Sequence, residues 1–579
     1  MEKRSSYLIS KAFGHYLGAS ILSMLASQLS VMVDAIIVGK FVAPEALSGV
    51  NSAMPLIGVI GAFEILFGSG ACISVARLIG KHDEKGVKKA FSMSMVTLST
   101  VLLLMSVLLI LFAVQVAGFL NSEPKISAYA AQYIQVYAWG IIPMQLVPSI
   151  SGFVQTDGHP RLITSLVICE SVCNLILDLL FVCVFGMGIQ GAALATIISA
   201  ILVLVLAVIL GLKKSPSFRW LWEKGTMSVV FRNNLLDGLP LMLTNVLLAL
   251  VVFLLNTIIT STLGTVGMNI WSVCLQVFML SIVVLSGIGG AVFSIGGVLV
   301  GEKDMEGLSI LYKKVMGLIL GVLLILVIFI EIWPESLAML FGAGDAEFQG
   351  GITTALRIFI VCVIPFSFVI LQNDFLQIME HQLLAMIFTI GLMVVIVLGP
   401  WIASLVIPEC IWWGFPASCI ILFAPMFISM MFIHRSHPGT SPFTLIPYQS
   451  PGIAWSKSVK YNDADLRSAF SELNDFLAGH TSDSAATDIL HHIVEELMLN
   501  IVQYAVRNNS KQTFDVQVRI DDNELTAVLK DDGRPFDPTV KQETDTIGLK
   551  IVQGLSSEIT YKYMNGQNVV FVKIPTKAK

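Results

Sequence analysis

The sequence predicts an all-α polytopic membrane protein, with twelve transmembrane helices in two six-helix lobes, followed by a small α/β sandwich domain. Three observations predict it. The chain of 579 residues is 55% apolar and only 13% charged, where a soluble domain carries roughly a quarter charged residues. That average hides two regimes: 42 of the first 434 residues are charged, against 33 of the last 145. Apolar stretches long enough to cross about 30 Å of hydrocarbon recur along the first regime, twelve of them in all. A plain soluble enzyme, a secreted disulfide scaffold and a disordered chain are thereby excluded.

The stretches fall at about 14–38, 51–79, 90–116, 128–155, 162–185, 190–212, 235–262, 270–299, 310–333, 352–378, 383–407 and 411–434. Lipid offers no partner to an unpaired backbone group, so each must be a helix. The basic start MEKRSSYLISKAFGHYLG leads into a full span without a cleavage site and reads as a retained first helix, not a signal peptide. Seventeen Lys and Arg fall in loops on the N-terminal side, against Lys40, Lys125 and Arg357 on the other. The positive-inside rule then places both termini on the cytoplasmic side, and the cell (inner) membrane is the expected location. With net charge −5 and no strongly basic stretch, nucleic acid is not an expected partner; the bilayer is. All eight cysteines lie in the apolar part without a CxxC pair and read as buried apolar thiols.

The two halves repeat at an offset of about 222 residues. ARLIGKHDEKG (76–86) matches GVLVGEKDMEG (297–307), and FVQTDGHPRL (153–162) matches FLQIMEHQLL (375–384). Parallel repeats of this kind place a cavity between the lobes near the bilayer midplane. The expected layout is lobe 1–212, connector 213–234, lobe 235–434, linker 435–460 and soluble domain 461–579.

Acids inside spans are costly unless they face a cavity, carry a proton or bind an ion. Asp34, Glu64, Glu170, Asp178 and Glu331 are such residues, with Glu331 close enough to the outer end to be interfacial. Glu170, Asn174 and Asp178 are spaced i, i+4, i+8 and share one helical face. Adding 222 takes Asn174 to Ile396, Asp178 to Pro400 and Asp34 to Asn256, so this acidic set stands only in the first lobe. A seam kept for packing alone would persist in both lobes, which points to a one-lobe ion site.

VDAIIVGKF (33–41) and RLITSLVICESVCNLILDLLFVCVFGMGIQGAALAT (161–196), with the twelve-span layout, resemble the multidrug and toxic compound extrusion (MATE) transporters. The resemblance implies an exporter that rocks between inward and outward states, driven by Na⁺ or H⁺ entry. It implies a cation site of Asp34, Asn174, Asp178 and Thr196. Glu170 departs from the family pattern and is expected to modify coupling from beside that site. Large apolar cations are the substrates the resemblance implies, and 24 Met with 33 Phe suit an adaptable apolar cavity.

Beyond the Pro-, Ser- and Gly-rich 435–460 an α/β pattern begins. DADLRSAFSELNDFLAGH and SAATDILHHIVEELMLNIVQYAVRN read as helices, TFDVQVRIDDNELTAVLKDDG as a hairpin around Asp522-Asn523, and GLKIVQGLSSEITYKYMNGQNVVFVKIP as helix, strand, turn and strand. No GxxxxGKS/T occurs, so this is not a P-loop motor. EELMLNIVQYA, KDDGRPFDP and IGLKIVQGLSSEITY resemble, in order, the ATP-binding fold of histidine kinases and anti-sigma-factor serine kinases. That resemblance implies ATP with Mg²⁺ as cofactors: Asn500 as Mg²⁺ ligand, Glu496 as general base, Asp531 on the adenine amino group, Gly533 allowing close approach and Gly548 in the phosphate lid. It also implies an anti-sigma-antagonist-like protein as a partner. Pro535 stands at a usual glycine, the lid has one glycine, and Tyr504 replaces a frequent histidine. His491 and His492 read as ordinary helix-face residues. The expectation is a cation-coupled exporter of organic cations or metabolites with an ATP-binding regulatory domain. A membrane-anchored sensor or serine kinase, or a lipid-linked precursor flippase, are the alternatives; the flippase calls for more cavity cations than Arg357 supplies.

Overall fold

The computed structural model describes residues 4–576 except 43, 122, 224, 336–345, 443, 481–483, 505–511, 522–523, 541–551, 553 and 555–557. Its first half is built from α1 (Tyr7–Phe41), α2 (Pro44–Glu64), α3 (Gly70–Gly80), α4 (Glu84–Leu120), α5 (Pro124–Thr156), α6 (Pro160–Asp178) and α7 (Gly188–Leu206). The second is built from α8 (Met227–Gly301), α9 (Met305–Ile332), α10 (Ala346–Ile360), α11 (Val363–Ile378), α12 (Gln382–Val406) and α13 (Ile411–Ser436). These supply the twelve expected spans. The pair α2 and α3 is one span, as are α10 and α11. The 75-residue α8 is two spans broken at Gly264, whose φ of 64° and ψ of −153° no side-chain-bearing residue adopts cheaply.

Two π-helical turns follow buried acids directly. Ile65–Ser69 comes after Glu64, and Leu179–Val184 after Asp178. Such turns concentrate at functional sites, because the wider turn redirects side chains on one helix face.

The repeat seen in the sequence is also a repeat of backbone. His82 (φ 55°) and Lys303 (φ 59°) are both left-handed, and each precedes an aspartate that caps the next helix. Asp83 accepts from the Gly86 N–H at 2.8 Å, and Asp304 from the Gly307 N–H at 2.9 Å. Gly158 and Glu380 form a second matched pair of positive-φ positions.

The C-terminal domain is a five-stranded antiparallel sheet in the order β1-β2-β3-β5-β4: β1 (Ile453–Lys460), β2 (Thr513–Asp521), β3 (Glu524–Asp531), β4 (Glu558–Met564) and β5 (Gln567–Pro575). Helices α14 (Asp463–His480) and α15 (Ser484–Tyr504) cover one face. Residues 453–460, read from the sequence as the end of a linker, instead form β1, in full register with β2. Their cue is the i, i+4 pair Trp455 and Val459, buried against α14 and α15. The β2–β3 hairpin closes with Asp521 opposite Glu524; its two turn residues lie outside the described set. Asn565-Gly566 turns β4 into β5, with both residues at positive φ, as a two-residue hairpin requires.

The other face of the sheet lies on the membrane part. Along β2, Phe514, Val516 and Val518 face the helices, so alternation aims Asp515, Gln517 and Arg519 away from them. Those three are nevertheless only 4%, 6% and 6% exposed. Val528, Met564 and Val569 pack with Ile79 and Val298 of the two halves.

Candidate functional site

The first site lies where α1, α5, α6 and α7 meet. Asp178, the last residue of α6, sits beside Asp34 of α1, and Tyr133 of α5 is close to both. Asn174, one turn before Asp178, accepts from the Ser30 hydroxyl at 3.0 Å and points its amide nitrogen at Thr196 Oγ1, 3.5 Å away. Asn174 and Asp178 are 4% and 1% exposed. Neither oxygen of Asp178, nor Oδ1 of Asp34, accepts from a donor among the described residues, and the two carboxyls can satisfy each other only by sharing a proton. Two carboxyl groups side by side, Asp178 buried and Asp34 half-buried, call for a positive partner between them. Carboxylate, amide and hydroxyl oxygens suit a small hard cation, and the same carboxyls can hold a proton. The four residues expected together are together.

Glu170 goes elsewhere. It lines a central cavity between the halves, of about 1970 Å³ including the space at its mouth. Ser23, Gln155, Phe293 and Phe366 also line it, and so does Asp374 of α11, a second carboxyl facing it from the other half. No Lys, Arg or His appears among the lining residues described. Sequence reasoning passed over Asp374, and over Asp237 of α8; counting every acid within the spans 352–378 and 235–262 would have found both. Glu64 is buried against the hydroxyls of Ser69 (2.9 Å) and Ser149 (2.8 Å) and is not among the cavity-lining residues. Glu331 is exposed and 3.9 Å from Arg357, as an interfacial residue should be.

The halves touch on the face that carries the C-terminal domain. A side chain at Gly80 would strike the Val298 carbonyl, and one at Gly301 the Arg77 carbonyl, so only glycines permit this approach of α3 to α8. Buried beside it, Arg77 pairs with Asp237 and, at 3.2 Å, with Glu380, while Gln382 donates to Asp237 at 2.9 Å.

The second site is in the C-terminal domain. Glu496 and Asn500, one turn apart on α15, share a face of a helix packed on β3 and β5. The Asn500 amide nitrogen is buried without a partner among the described residues. At the end of β3, Asp531 Oδ1 accepts from the Gly533 N–H at 2.7 Å and from Asn568 Nδ2 at 2.9 Å. Burial raises the Asp531 carboxyl above its ordinary range, against the pull of those two donors. Asn568 also donates to the Arg534 carbonyl and accepts from the Phe536 N–H and the Tyr561 hydroxyl. It is the organiser of the Asp531 loop, and it escaped sequence reasoning because β5 brings it there from 37 residues away. Gly548 lies outside the described residues. His491, His492 and Glu495 cluster on the outside of α15 at a spacing that a metal ion could bridge, a common arrangement of surface groups.

The family model MatE matches residues 19–180 and again 240–401, and the Histidine kinase-like ATPase domain matches 459–574. "Probable multidrug resistance protein NorM" of Agrobacterium fabrum is 24% identical over 352 residues, 57% of this chain and 73% of that protein. "Probable multidrug resistance protein YoeA" of Bacillus subtilis is 24% identical over 220 residues, 37% of this chain; the match spans 48% of that relative's length. Among solved structures, an outward-facing MATE family transporter of the MOP superfamily superposes with a TM-score of 0.69 at 21% identity, over 76% of this chain and 100% of its own. The Vibrio cholerae transporter VcmN in its bent form gives 0.69 at 18%, over 75% and 99%. Likeness at these identities speaks for the fold. The two MatE matches, one per half, together cover more than half of the sequence, and the chain belongs to the MATE transporter family, with a histidine kinase-like ATPase domain at its C-terminal end.

Proposed function

We propose that this protein is a secondary exporter of organic cations, driven by entry of Na⁺ or H⁺, with a cytoplasmic nucleotide-binding domain that regulates it. The observation that carries the reading is the central cavity: apolar walls, one carboxyl from each half and no basic side chain among its described lining. A cationic ligand there finds two acids and adaptable Phe and Met surfaces, whereas an anionic lipid-linked precursor finds no cation.

Asp34 and Asp178 lie apart from that lining, within the first half. The coupling cation or proton would sit between them, with Asn174 and Thr196 completing an oxygen set. Its arrival would cancel one of the pair's two negative charges and so favour tighter packing of α1 on α6 and α7. Release of the substrate from Glu170 and Asp374 would follow from that repacking.

In the C-terminal domain the residues fit a nucleotide. Asp531 keeps Oδ2 free of its loop bonds for the adenine amino group, Gly533 lets the base approach, and Asn500 offers an unpartnered amide N–H to a phosphate oxygen, while its Oδ1 would be the Mg²⁺ ligand. Mg-ATP, when bound, supplies a transferable phosphoryl group and binding energy that differs between domain conformations. Glu496, one turn before Asn500, would take a proton from a serine hydroxyl. That placement favours, as a second reading, phosphorylation of an anti-sigma-antagonist-like protein.

The test is ethidium transport in everted vesicles under imposed Na⁺ or pH gradients, with ATP synthesis blocked. Wild type transports under one gradient, Asp178→Asn does not, and Glu331→Gln behaves as wild type. Equal transport by Asp178→Asn and wild type would refute the coupling site.

A further inference from the structure

The C-terminal domain does not hang from its linker. Its sheet bridges the two halves of the transporter through ion pairs whose carboxylates, Asp157, Glu302, Asp304 and Asp515, are buried. On the first half, Lys562 of β4 pairs with Asp157 in the α5–α6 loop, and His82 in the α3–α4 loop stacks on Phe571 of β5 with ring centroids 4.1 Å apart. On the second half, Lys530 of β3 meets Glu302 at 2.5 Å in the α8–α9 loop. Arg4, ahead of α1, ties Asp304 of that loop (2.6 Å) to Asp515 of β2 (2.9 Å). The loops at His82 and at Glu302–Asp304 are the repeat-related pair with matched left-handed residues and aspartate caps. One rigid sheet thus holds equivalent points of both halves, directly over the Gly80–Gly301 closure.

We propose that the C-terminal domain is a clamp: it holds the two halves together on its own face, and that face opens only after the domain releases one of them. Rocking the halves apart separates the loop at residue 82 from the loop at residue 302, and a single sheet cannot follow both. Holding both anchors therefore favours the state closed on this side, by the free energy of whichever anchor must break.

The clamp reaches the nucleotide site through adjacent residues. Asp531 faces its own loop and the expected adenine position. Asp532 instead accepts from the Tyr7 hydroxyl at 2.6 Å and Lys11 Nζ at 2.5 Å, both on α1. A nucleotide that reshapes the 531–538 loop changes this anchor, and by thermodynamic reciprocity the anchor changes nucleotide affinity equally. This regulatory role rests on the exporter reading above.

The experiment uses the full chain with Ser286→Cys, an exposed position on the cavity wall. A membrane-impermeant maleimide is applied from the domain-bearing side, and peptide mass spectrometry reads labelling at 286. The double variant Lys530→Glu/Lys562→Glu reverses one anchor on each half; adding Glu302→Lys and Asp157→Lys restores both pairs with inverted sign. Labelling is expected to rise at least fivefold in the double variant and to return within twofold of the parent in the quadruple variant. Parent-like labelling in a double variant whose domain is detached, by protease cleavage in 437–452, would overturn the clamp. So would a quadruple variant that labels like the double.

Should the double variant not fold, disulfides Glu302→Cys/Lys530→Cys and His82→Cys/Phe571→Cys lock both anchors. Ethidium transport should then drop at least tenfold until a reductant is added; undiminished transport by the locked form refutes the clamp. A fluorescent ATP analogue should bind the double and parent forms with affinities at least threefold apart, and equal affinities would sever nucleotide from the clamp. Absence of transport from every form faults the exporter reading alone, because the labelling arm still decides the clamp.

Discussion

Replacing Arg4 by methionine keeps most of the side chain's volume and removes one charge from the junction between domain and transporter. The guanidinium lies 2.6 Å from Asp304 and 2.9 Å from Asp515, and the three side chains are 5%, 3% and 5% exposed. Burial alone would raise the Asp304 carboxyl; the Arg4 charge overrides it and holds that group below its ordinary range. Without Arg4 two buried carboxylates face a common space whose remaining cation, Lys530, is already paired with Glu302, a loss of about 3–5 kcal/mol for a broken buried pair. Protonation sets the ceiling. Neutralising an aspartate of ordinary pKa at pH 7 costs about 4 kcal/mol, roughly three units at 1.36 kcal/mol each. Docking should therefore weaken by about 4 kcal/mol, on the order of a thousandfold. Native-state hydrogen exchange reads this at two amides that donate across the junction, Ser5 to Ser458 Oγ and Met305 to Ser450 Oγ. Their protection should fall by that factor while the amide of Leu473, in the core of the domain, keeps its own. Arg4→Met/Asp304→Leu/Asp515→Leu, which removes both orphaned acids, should regain most of the protection. A loss below about 1 kcal/mol in Arg4→Met, under a factor of roughly six, would show that the network does not hold the domain.

Burial, and then the charges of Lys530 and Lys562, push the His82 imidazole down to about 3. The detached state binds the proton more readily, so docking is at full strength above about pH 6.5 and weakens by about 1.4 kcal/mol per unit below it; His82→Phe should flatten that slope in the same exchange experiment. Asp531→Asn removes the acceptor expected for the adenine amino group. Calorimetry should show ATP affinity lower by about 1.5–3 kcal/mol, roughly 10- to 150-fold, and unchanged affinity would displace the nucleotide from this loop. Asp374→Asn removes one of two cavity carboxyls and should weaken ethidium binding by roughly tenfold, about 1.4 kcal/mol, measured by equilibrium fluorescence in detergent; binding equal to wild type would place the cation elsewhere. Gly301→Leu forces a side chain toward the Arg77 carbonyl and should raise labelling at Ser286→Cys from the domain-bearing side, because the closure can no longer seat.

Much of the molecule is legible in the chain because its forces act locally. Bilayer thickness dictates span length, so twelve helices could be counted from apolar runs, and the repeat of ARLIGKHDEKG in GVLVGEKDMEG foretold the matched turns at His82 and Lys303. Helical spacing placed Asn174 and Asp178 on one face, and the Asn565-Gly566 dipeptide specified its own turn. Glu170 shares that helix face yet lines the central cavity, because helix periodicity fixes direction but not what lies opposite. Pro-, Ser- and Gly-rich residues ahead of β1 concealed a strand whose only signal was one buried pair. What the sequence could not contain is the meeting of residues far apart in it. Arg4 finds Asp515 across 511 positions, and Lys530 finds Glu302 across 228. Alternation along β2 announced one apolar and one polar face, as for a sheet lying open to water on one side. Only the packed structure decides that the polar face is buried as well, because Arg4 meets Asp515 and the transporter loops supply carboxylates to Lys530 and Lys562, opposite charges that make such burial affordable.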